Sequence, residues 1–311
     1  MESIIKSEFP ERTFAKVERL LRLAAEMNRH PDLKNKLAMF GGTAINLFML
    51  NVLRLSVDID ISYIGSKDIN SMIKERPIIE RGLEEVGKSL NYNVIGLKNG
   101  HAGRTFVLRY YDDWGWDNIK IDIVYMNRVP LLPLKIRESK TKPGLFITVF
   151  DDVELTGGKI KAYFDRVKIR DLYDLYNLKK YFDLLNDNAK HMEITHKVLL
   201  FYASISARFP NSFLQREARF SNYQSELNKQ LIPMLRIEEN GPDLSELMLS
   251  AAEFINEYVL PKNDMEKAYL TLFSQGIYKP ELLFQDSNIL TAAQNNPEAN
   301  WKLQNLRKIK I

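Results

Sequence analysis

The chain has no cysteine among its 311 residues and only four histidines. The first absence excludes a disulfide framework and any zinc site built on thiolates. It fits a reducing compartment. His191 and His196 stand five apart, off a common helical face, so an imidazole-rich metal centre is excluded as well. Long apolar runs are also missing. The N-terminus, MESIIKSEFPERTF, sets charges and a proline where a secretory signal needs an apolar core. Residues 37–53 carry no charge, but the run is shorter than the roughly 20 residues that cross a bilayer. It also contains Gly41-Gly42, Asn46 and Asn51. The expectation is a cytoplasmic protein with no membrane association. A strong charge of one sign is absent too. The 44 Lys+Arg against 40 Asp+Glu leave +4, too little to mark a nucleic-acid binder by itself.

What is present is an ordinary globular composition, 45% hydrophobic and 27% charged, in a chain long enough for two domains. Phe14, Val17, Leu20, Leu21 and Ala24 give residues 12–28 helical spacing. Residues 36–40 read as a short strand leading into Gly41-Gly42. Thr43 then stands as the N-cap of a helix over residues 44–52. Residues 56–63, SVDIDISY, alternate strictly and read as a strand. Residues 66–90 read as helix, interrupted near Pro77. Further strands are expected at 92–97, 105–111, 118–125 and 145–150, with a proline-containing basic connection over 128–142. From Asp151 onward the pattern is helical. There Phe201, Tyr202, Phe213, Phe220 and Tyr223 read as core. The tail with Trp301, Lys302, Arg307, Lys308 and Lys310 reads as a frayed, solvated terminus. The expected fold class is α+β: a mixed α/β domain over residues 1–150, then an all-helical domain over 151–311.

Three acids carry the chemistry. Asp58 and Asp60 lie two apart on a strand and share one face. Asp122, between Ile121 and Ile123, points away from an isoleucine face on a later strand. Carboxylates gathered this way repel unless a divalent cation relieves them, and Mg²⁺ prefers hard oxygen ligands together with substrate phosphates. Three such acids can make a two-metal site for in-line displacement at phosphorus. Gly41-Gly42-Thr43, ahead of a helix, offers bare backbone N–H groups that suit a triphosphate.

In this order, Gly41-Gly42-Thr43, Val57-Asp58-Ile59-Asp60-Ile61 and Ile121-Asp122-Ile123 resemble the polymerase-β-like nucleotidyltransferases. Thr43 stands where serine is usual. The fourteen residues from 44 to 57 are a longer spacing than typical and imply a longer first helix. Residues 153–178, VELTGGKIKAYFDRVKIRDLYDLYNL, narrow the resemblance. Glu154, Lys159, Ala162, Arg166, Arg170, Asp171, Asp174 and Leu175 are similar to the signature of the AbiEii/AbiGii toxin family, to which the MenT toxins also belong. Arg54 and Ser56, ahead of Asp58 and Asp60, match another element of that family. Gly157-Gly158 depart from it and suggest that the helix begins only at Lys159.

The resemblance implies a toxin of an abortive-infection, type IV toxin–antitoxin system. It would transfer a nucleoside monophosphate from an NTP to an RNA, the tRNA 3′ end above all. Asp58, Asp60 and Asp122 would hold Mg²⁺. Gly41, Gly42, Thr43, Arg54, Ser56, Lys159, Arg166 and Arg170 would bind the nucleotide. Asp171 or Asp174 would orient Lys159, Arg166 or the acceptor. A cognate antitoxin is implied, without a stable complex. Two other readings use the same residues: a nucleotidyltransferase acting on a small molecule or protein hydroxyl, and a non-catalytic nucleotide- or RNA-binding protein. The charge distribution favours the catalytic half. Residues 185–311 hold 14 basic and 15 acidic residues, so residues 1–184 hold 44−14=30 and 40−15=25, a net of +5.

Overall fold

Alternating apolar residues build a mixed seven-stranded sheet in the computed structural model, which describes residues 6–166, 168–185, 189–211 and 223–308. The strands are β1 (Leu37–Phe40), β2 (Asp58–Tyr63), β3 (Asn93–Gly100), β4 (Gly103–Asp112), β5 (Gly115–Val124), β6 (Lys135–Glu138) and β7 (Phe146–Val149). Their order is β3-β4-β5-β2-β1-β7-β6. β2 runs parallel to β5 and β1 parallel to β7, while the other neighbours are antiparallel. This is the α+β class. β6 lies inside the stretch read as a plain connection. Its sequence is charged and its residues alternate between half-buried and exposed, as an edge strand's do.

The chain folds into two units. The first comprises residues up to Val129, Pro133–Asp151 and Pro233–Glu239. Helix α1 (Glu11–Arg29) buries Phe14, Val17, Leu20, Leu21 and Ala24, the stripe that its spacing predicts. A short helix α2 follows β1, one α-turn over Gly41–Ala44 passing into a π-helix over Ile45–Met49. It is shorter than the spacing to Asp58 suggested. The surplus forms an irregular segment over residues 50–57, largely buried. Its backbone groups find partners in 233–239: Leu55 N–H donates to Met234 O at 2.7 Å, and Arg236 Nη2 to Val52 O at 3.3 Å. A buried loop needs such partners. Helix α3 (Ile69–Ser89) is capped by Asp68, which accepts from Ser71 N–H, and it runs through Pro77 without interruption. Met72 before the proline and Ile79, Leu83 and Val86 after it are buried, so packing on both sides outweighs one missing backbone donor.

The second unit comprises Pro130–Leu132, Asp152–Ile232 and the residues from Asn240 onward. Its helices are α4 (Asp152–Arg166), α5 (Ile169–Leu184), α6 (Ala189–Ser204), α7 (Leu244–Tyr258), α8 (Asp264–Ser274), α9 (Ser287–Gln294) and α10 (Pro297–Lys308), with short helical stretches over Tyr223–Glu226, Leu227–Leu231 and Pro280–Leu282. α4 begins seven residues before Lys159, so Gly157 and Gly158 lie within it. A Cβ on Gly157 would enter the ring of Tyr202, so the glycine lets α4 and α6 approach closely. Buried Glu154 accepts from Leu131 N–H at 2.8 Å, Leu132 N–H at 3.1 Å and the Tyr202 hydroxyl at 2.7 Å. That carboxylate ties residues 130–132 to the helical unit.

Phe201 and Tyr202 are core residues, and Tyr223 is half-buried. Phe213 and Phe220 lie outside the described residues, as does Lys310. Up to Lys308 the tail is helical and docked rather than frayed, while Trp301 and Lys308 are exposed as expected. Lys302 is buried and donates to Ala207 O and Phe209 O, both at 2.8 Å, and Arg307 Nε donates to Gly276 O at 2.8 Å. Among the described residues no helix is long and apolar enough to cross a membrane.

Candidate active site

β2 sends Asp58 and Asp60 out of one sheet face and buries Ile59 and Ile61 on the other. Parallel β5 sets Ile121 opposite Ile59 and Asp122 opposite Asp60. Paired residues share a face, so the third carboxylate joins the first two. Lys120, opposite Asp58, lies on that face as well and forms an ion pair with Asp122. Thr105 on β4 donates to Asp122 at 2.5 Å. Sequence reading passed over Lys120, although its two-residue spacing from Asp122 was the signal.

The glycine turn stands against this face. β1 pairs Phe40 with Asp60, and Gly41 follows at a φ of +73°. A side chain there would be strained, and its Cβ would run into the Asp60 carboxylate. Two separate constraints therefore require glycine. Gly41→Ala is expected to cost at least about 1–2 kcal/mol from the left-handed backbone alone. Denaturant unfolding measures it, and an alanine variant as stable as its parent would show that the turn relaxes freely.

Thr43 does not cap the helix, which starts at Gly41 with Phe40 in the cap position. It is fully buried. Its hydroxyl donates to Asp58 O at 2.5 Å and lies 2.9 Å from Ser56 Oγ, which binds α2 to the acidic strand. Arg54 is also buried, with Nη1 donating to Leu55 O at 2.9 Å. Thr43, with Ser56 beside it, thus braces the start of the strand, while Arg54 ties the segment that precedes it. Gly41 and Gly42 remain half-exposed beside it.

A second cluster forms in the helical unit. Lys159 on α4 is buried, with Nζ 3.1 Å from Asp171 and 2.6 Å from Asp174 on α5. Arg166, two turns along α4, reaches Asp171 at 3.2 Å through Nε, while most of its side chain is exposed. Burial alone would raise the Asp171 pKa, yet Lys159 and Arg166 together hold it below the ordinary carboxylate range. Arg170 is half-buried one turn before Asp174. The predicted residues therefore gather as two sets. One holds the glycine turn, Thr43, Ser56 and the three acids. The other holds Lys159, Arg166, Asp171 and Asp174.

Among the described residues no three His, Cys, Asp or Glu side chains converge into a ready metal cage. Magnesium does not require one. It is held through one or two carboxylates, with waters and substrate phosphates completing the shell. Asp58 and Asp60 offer hard oxygen donors on one face. The bare cradle of Gly41, which a Cβ would fill, lies against Asp60. The donor set fits such an ion.

The fold is similar to that of MenT4, a nucleotidyltransferase toxin from Mycobacterium tuberculosis H37Rv. The TM-score is 0.55 at 13% identity, covering 99% of this chain and 98% of that one. JHP933 from Helicobacter pylori aligns with a TM-score of 0.42 at 15% identity, over 97% and 96% of the two chains. No curated protein sequence matches the chain. The family model described as nucleotidyl transferase AbiEii toxin, type IV TA system, matches residues 22–262. That match spans most of the chain, and with it the sheet, the acidic face and the α4–α5 cluster: the protein belongs to the AbiEii family of nucleotidyltransferase toxins from type IV toxin–antitoxin systems.

Proposed function

We propose that the protein is a magnesium-dependent enzyme that transfers a nucleoside monophosphate from an NTP to the 3′ end of an RNA, tRNA above all. It would act in the cytoplasm, in abortive infection, as the toxin of a pair whose antitoxin forms no stable complex with it. One observation carries the reading: Asp60 pairs directly with Asp122, beside Asp58, on a single sheet face.

Asp58 and Asp60 would hold magnesium, with Asp122 helping to hold a second ion. The metal, when bound, supplies charge neutralisation at the triphosphate. The attacking hydroxyl oxygen forms a bond to the α-phosphorus while its proton passes to the Asp122 carboxylate. The bond to pyrophosphate breaks, and pyrophosphate leaves. Gly41 and Gly42 admit a phosphate close to their backbone N–H groups. Thr43 and Ser56 fix the start of the strand on which the acids stand, and Arg54 the segment leading into it. Lys159, Arg166 and Arg170 supply positive charge to the nucleotide's phosphates, with Asp171 and Asp174 orienting Lys159. Catalysis of this kind rests on positioning and electrostatics.

The test is incubation with total tRNA, Mg²⁺ and each labelled NTP in turn. Label on RNA that requires Mg²⁺ and disappears in Asp58→Ala is expected. Label on a protein or small hydroxyl compound, and never on RNA, would change the acceptor and keep the chemistry. No transfer to any acceptor would overturn the reading.

A further inference from the structure

The acidic face does not end at the acids. β5 presents Trp116, Asn118, Lys120 and Asp122 in alternation on one side. The β4–β5 ladder runs without a register shift. It sets Thr105 opposite Asp122, Val107 opposite Lys120, Arg109 opposite Asn118 and Tyr111 opposite Trp116. All of them open on the same side as Asp58 and Asp60. The core lies on the other side, with Phe106, Leu108, Ile119, Ile121 and Ile123 buried.

The far end of this face is unusual. Trp116 is 64% exposed and Tyr111 is 68% exposed. Their ring centroids are 5.5 Å apart in an edge-on arrangement. The Arg109 guanidinium lies 5.5 Å from the centroid of the Trp116 ring. Large rings left together in water mark an interaction surface. The acids of this hairpin are mostly turned away. On the opposite side, Asp117 pairs with Lys16 and Arg12, and Asp112 with Arg19. Asp113 stays at the exposed tip. The open face beyond Asp122 is therefore cationic and aromatic, edged by the amides of Asn118 and of Asn93, which pairs with Arg109.

This chemistry suits a nucleic acid better than a protein. Aromatic faces stack on unpaired bases, a guanidinium meets a phosphate or stacks on a base, and side-chain amides bond base edges. Six residues separate Trp116 from Asp122 on one strand, about 20 Å at strand rise. A short single strand with its bases on the rings can bring its end to the acids.

We infer that Arg109, Tyr111 and Trp116 form the docking platform for the acceptor, a single-stranded 3′ end of RNA laid along β4 and β5 toward Asp122. The inference rests on reading the acids as a nucleotidyl-transfer site with an RNA acceptor. The rings act by positioning the strand and take no part in the chemistry.

The probe is a fluorescein-labelled single-stranded RNA decamer, with the blunt duplex of the same sequence as its control. Binding is measured to the full chain carrying Asp58→Asn, which keeps the chemistry silent. The decamer is expected to bind in preference to the duplex and to quench tryptophan fluorescence. Trp116→Ala and Tyr111→Ala are each expected to weaken binding by about tenfold. Trp116→Phe should restore most of the loss. Arg109→Ala should lower the salt dependence by a little under one counterion, about 0.7. In the chain with Asp58 intact, the ring variants should raise KM for RNA and leave kcat nearly unchanged. Melting curves check that these exposed substitutions leave the fold intact.

Equal decamer binding by the double variant Tyr111→Ala/Trp116→Ala would overturn the platform, as would preference for the duplex. Absence of RNA binding by the parent chain would also overturn it and leave the face to a protein partner. Unchanged transfer with an unchanged KM in the ring variants sinks the platform and keeps the enzyme. Ring-dependent binding of the decamer, with no transfer by the protein retaining Asp58, sinks the enzyme and keeps the platform.

Discussion

Asp58→Asn is expected to lower nucleotidyl transfer by about three orders of magnitude, the scale of losing several kcal/mol of charge stabilisation at the phosphates. Its stability should stay within about 0.5 kcal/mol of the parent. The separation of the two effects follows from where Asp58 sits. Its side chain is half-exposed on the open face of β2. The bond that braces the strand uses its backbone carbonyl, which accepts from Thr43, and asparagine keeps that carbonyl. The substitution also removes one of two like charges two residues apart, which relieves repulsion rather than creating a defect. Asp122→Asn should give a comparable loss of transfer with a different cause. Its carboxylate meets Lys120 and Thr105, so the change also frees an ammonium on the site face. A thermal melt beside the labelled-NTP assay reads both quantities. Transfer within tenfold of the parent in Asp58→Asn would remove the acidic face from the chemistry.

The acidic face was legible because alternation is a property of local sequence. SVDIDISY can bury its isoleucines only by turning both aspartates to the other side, and IKIDIV does the same for Asp122. That the two strands are neighbours, with Asp60 set against Asp122, depends on sheet order. No local signal states that order, and the resemblance implied only that the three acids share one metal site. The Thr43 cap and the long first helix failed for a physical reason. The run after Gly42 is largely apolar and buried on every side, so burial rather than helical period decides where α2 ends. It turns into a π-helix and a buried loop. That loop is completed by residues 233–239, far away in sequence, which no spacing rule could assign to the first unit. Gly157 read as a helix breaker, yet it is a contact point for Tyr202. Its meaning lies in the partner helix. The aromatic hairpin YYDDWGWD went unused because exposed rings are recognised only when burial is known.

Lys159→Met is expected to destabilise the fold by about 3–5 kcal/mol, the cost of breaking a buried ion pair by removing one partner. Asp171 and Asp174 are as buried as the core around them, and both lean on the same ammonium at 3.1 and 2.6 Å. The effect depends on pH with a definite sign. In the parent, Asp171 is held below its ordinary range despite burial, by Lys159 and Arg166. It therefore contributes stability above the unfolded carboxylate pKa, and that stability is lost as pH falls through the folded value. Without Lys159 the burial that was being opposed gains weight, and protonation of the carboxyl becomes favourable to the folded state. The gap in melting temperature between Lys159→Met and the parent should therefore narrow from pH 8 to pH 5. Combining Lys159→Met with Asp174→Leu should recover part of the loss, because the second change removes a buried charge left behind. A Lys159→Met protein that melts like its parent at every pH would contradict this account and direct the whole charge of Lys159 to the nucleotide. If the destabilisation is observed, lost transfer in Lys159 variants cannot by itself assign the lysine to the phosphates. Arg166 is then the cleaner probe. It shares Asp171 with Lys159 while its side chain is 56% exposed, so Arg166→Ala should cost little stability, and any fall in transfer reports on the nucleotide.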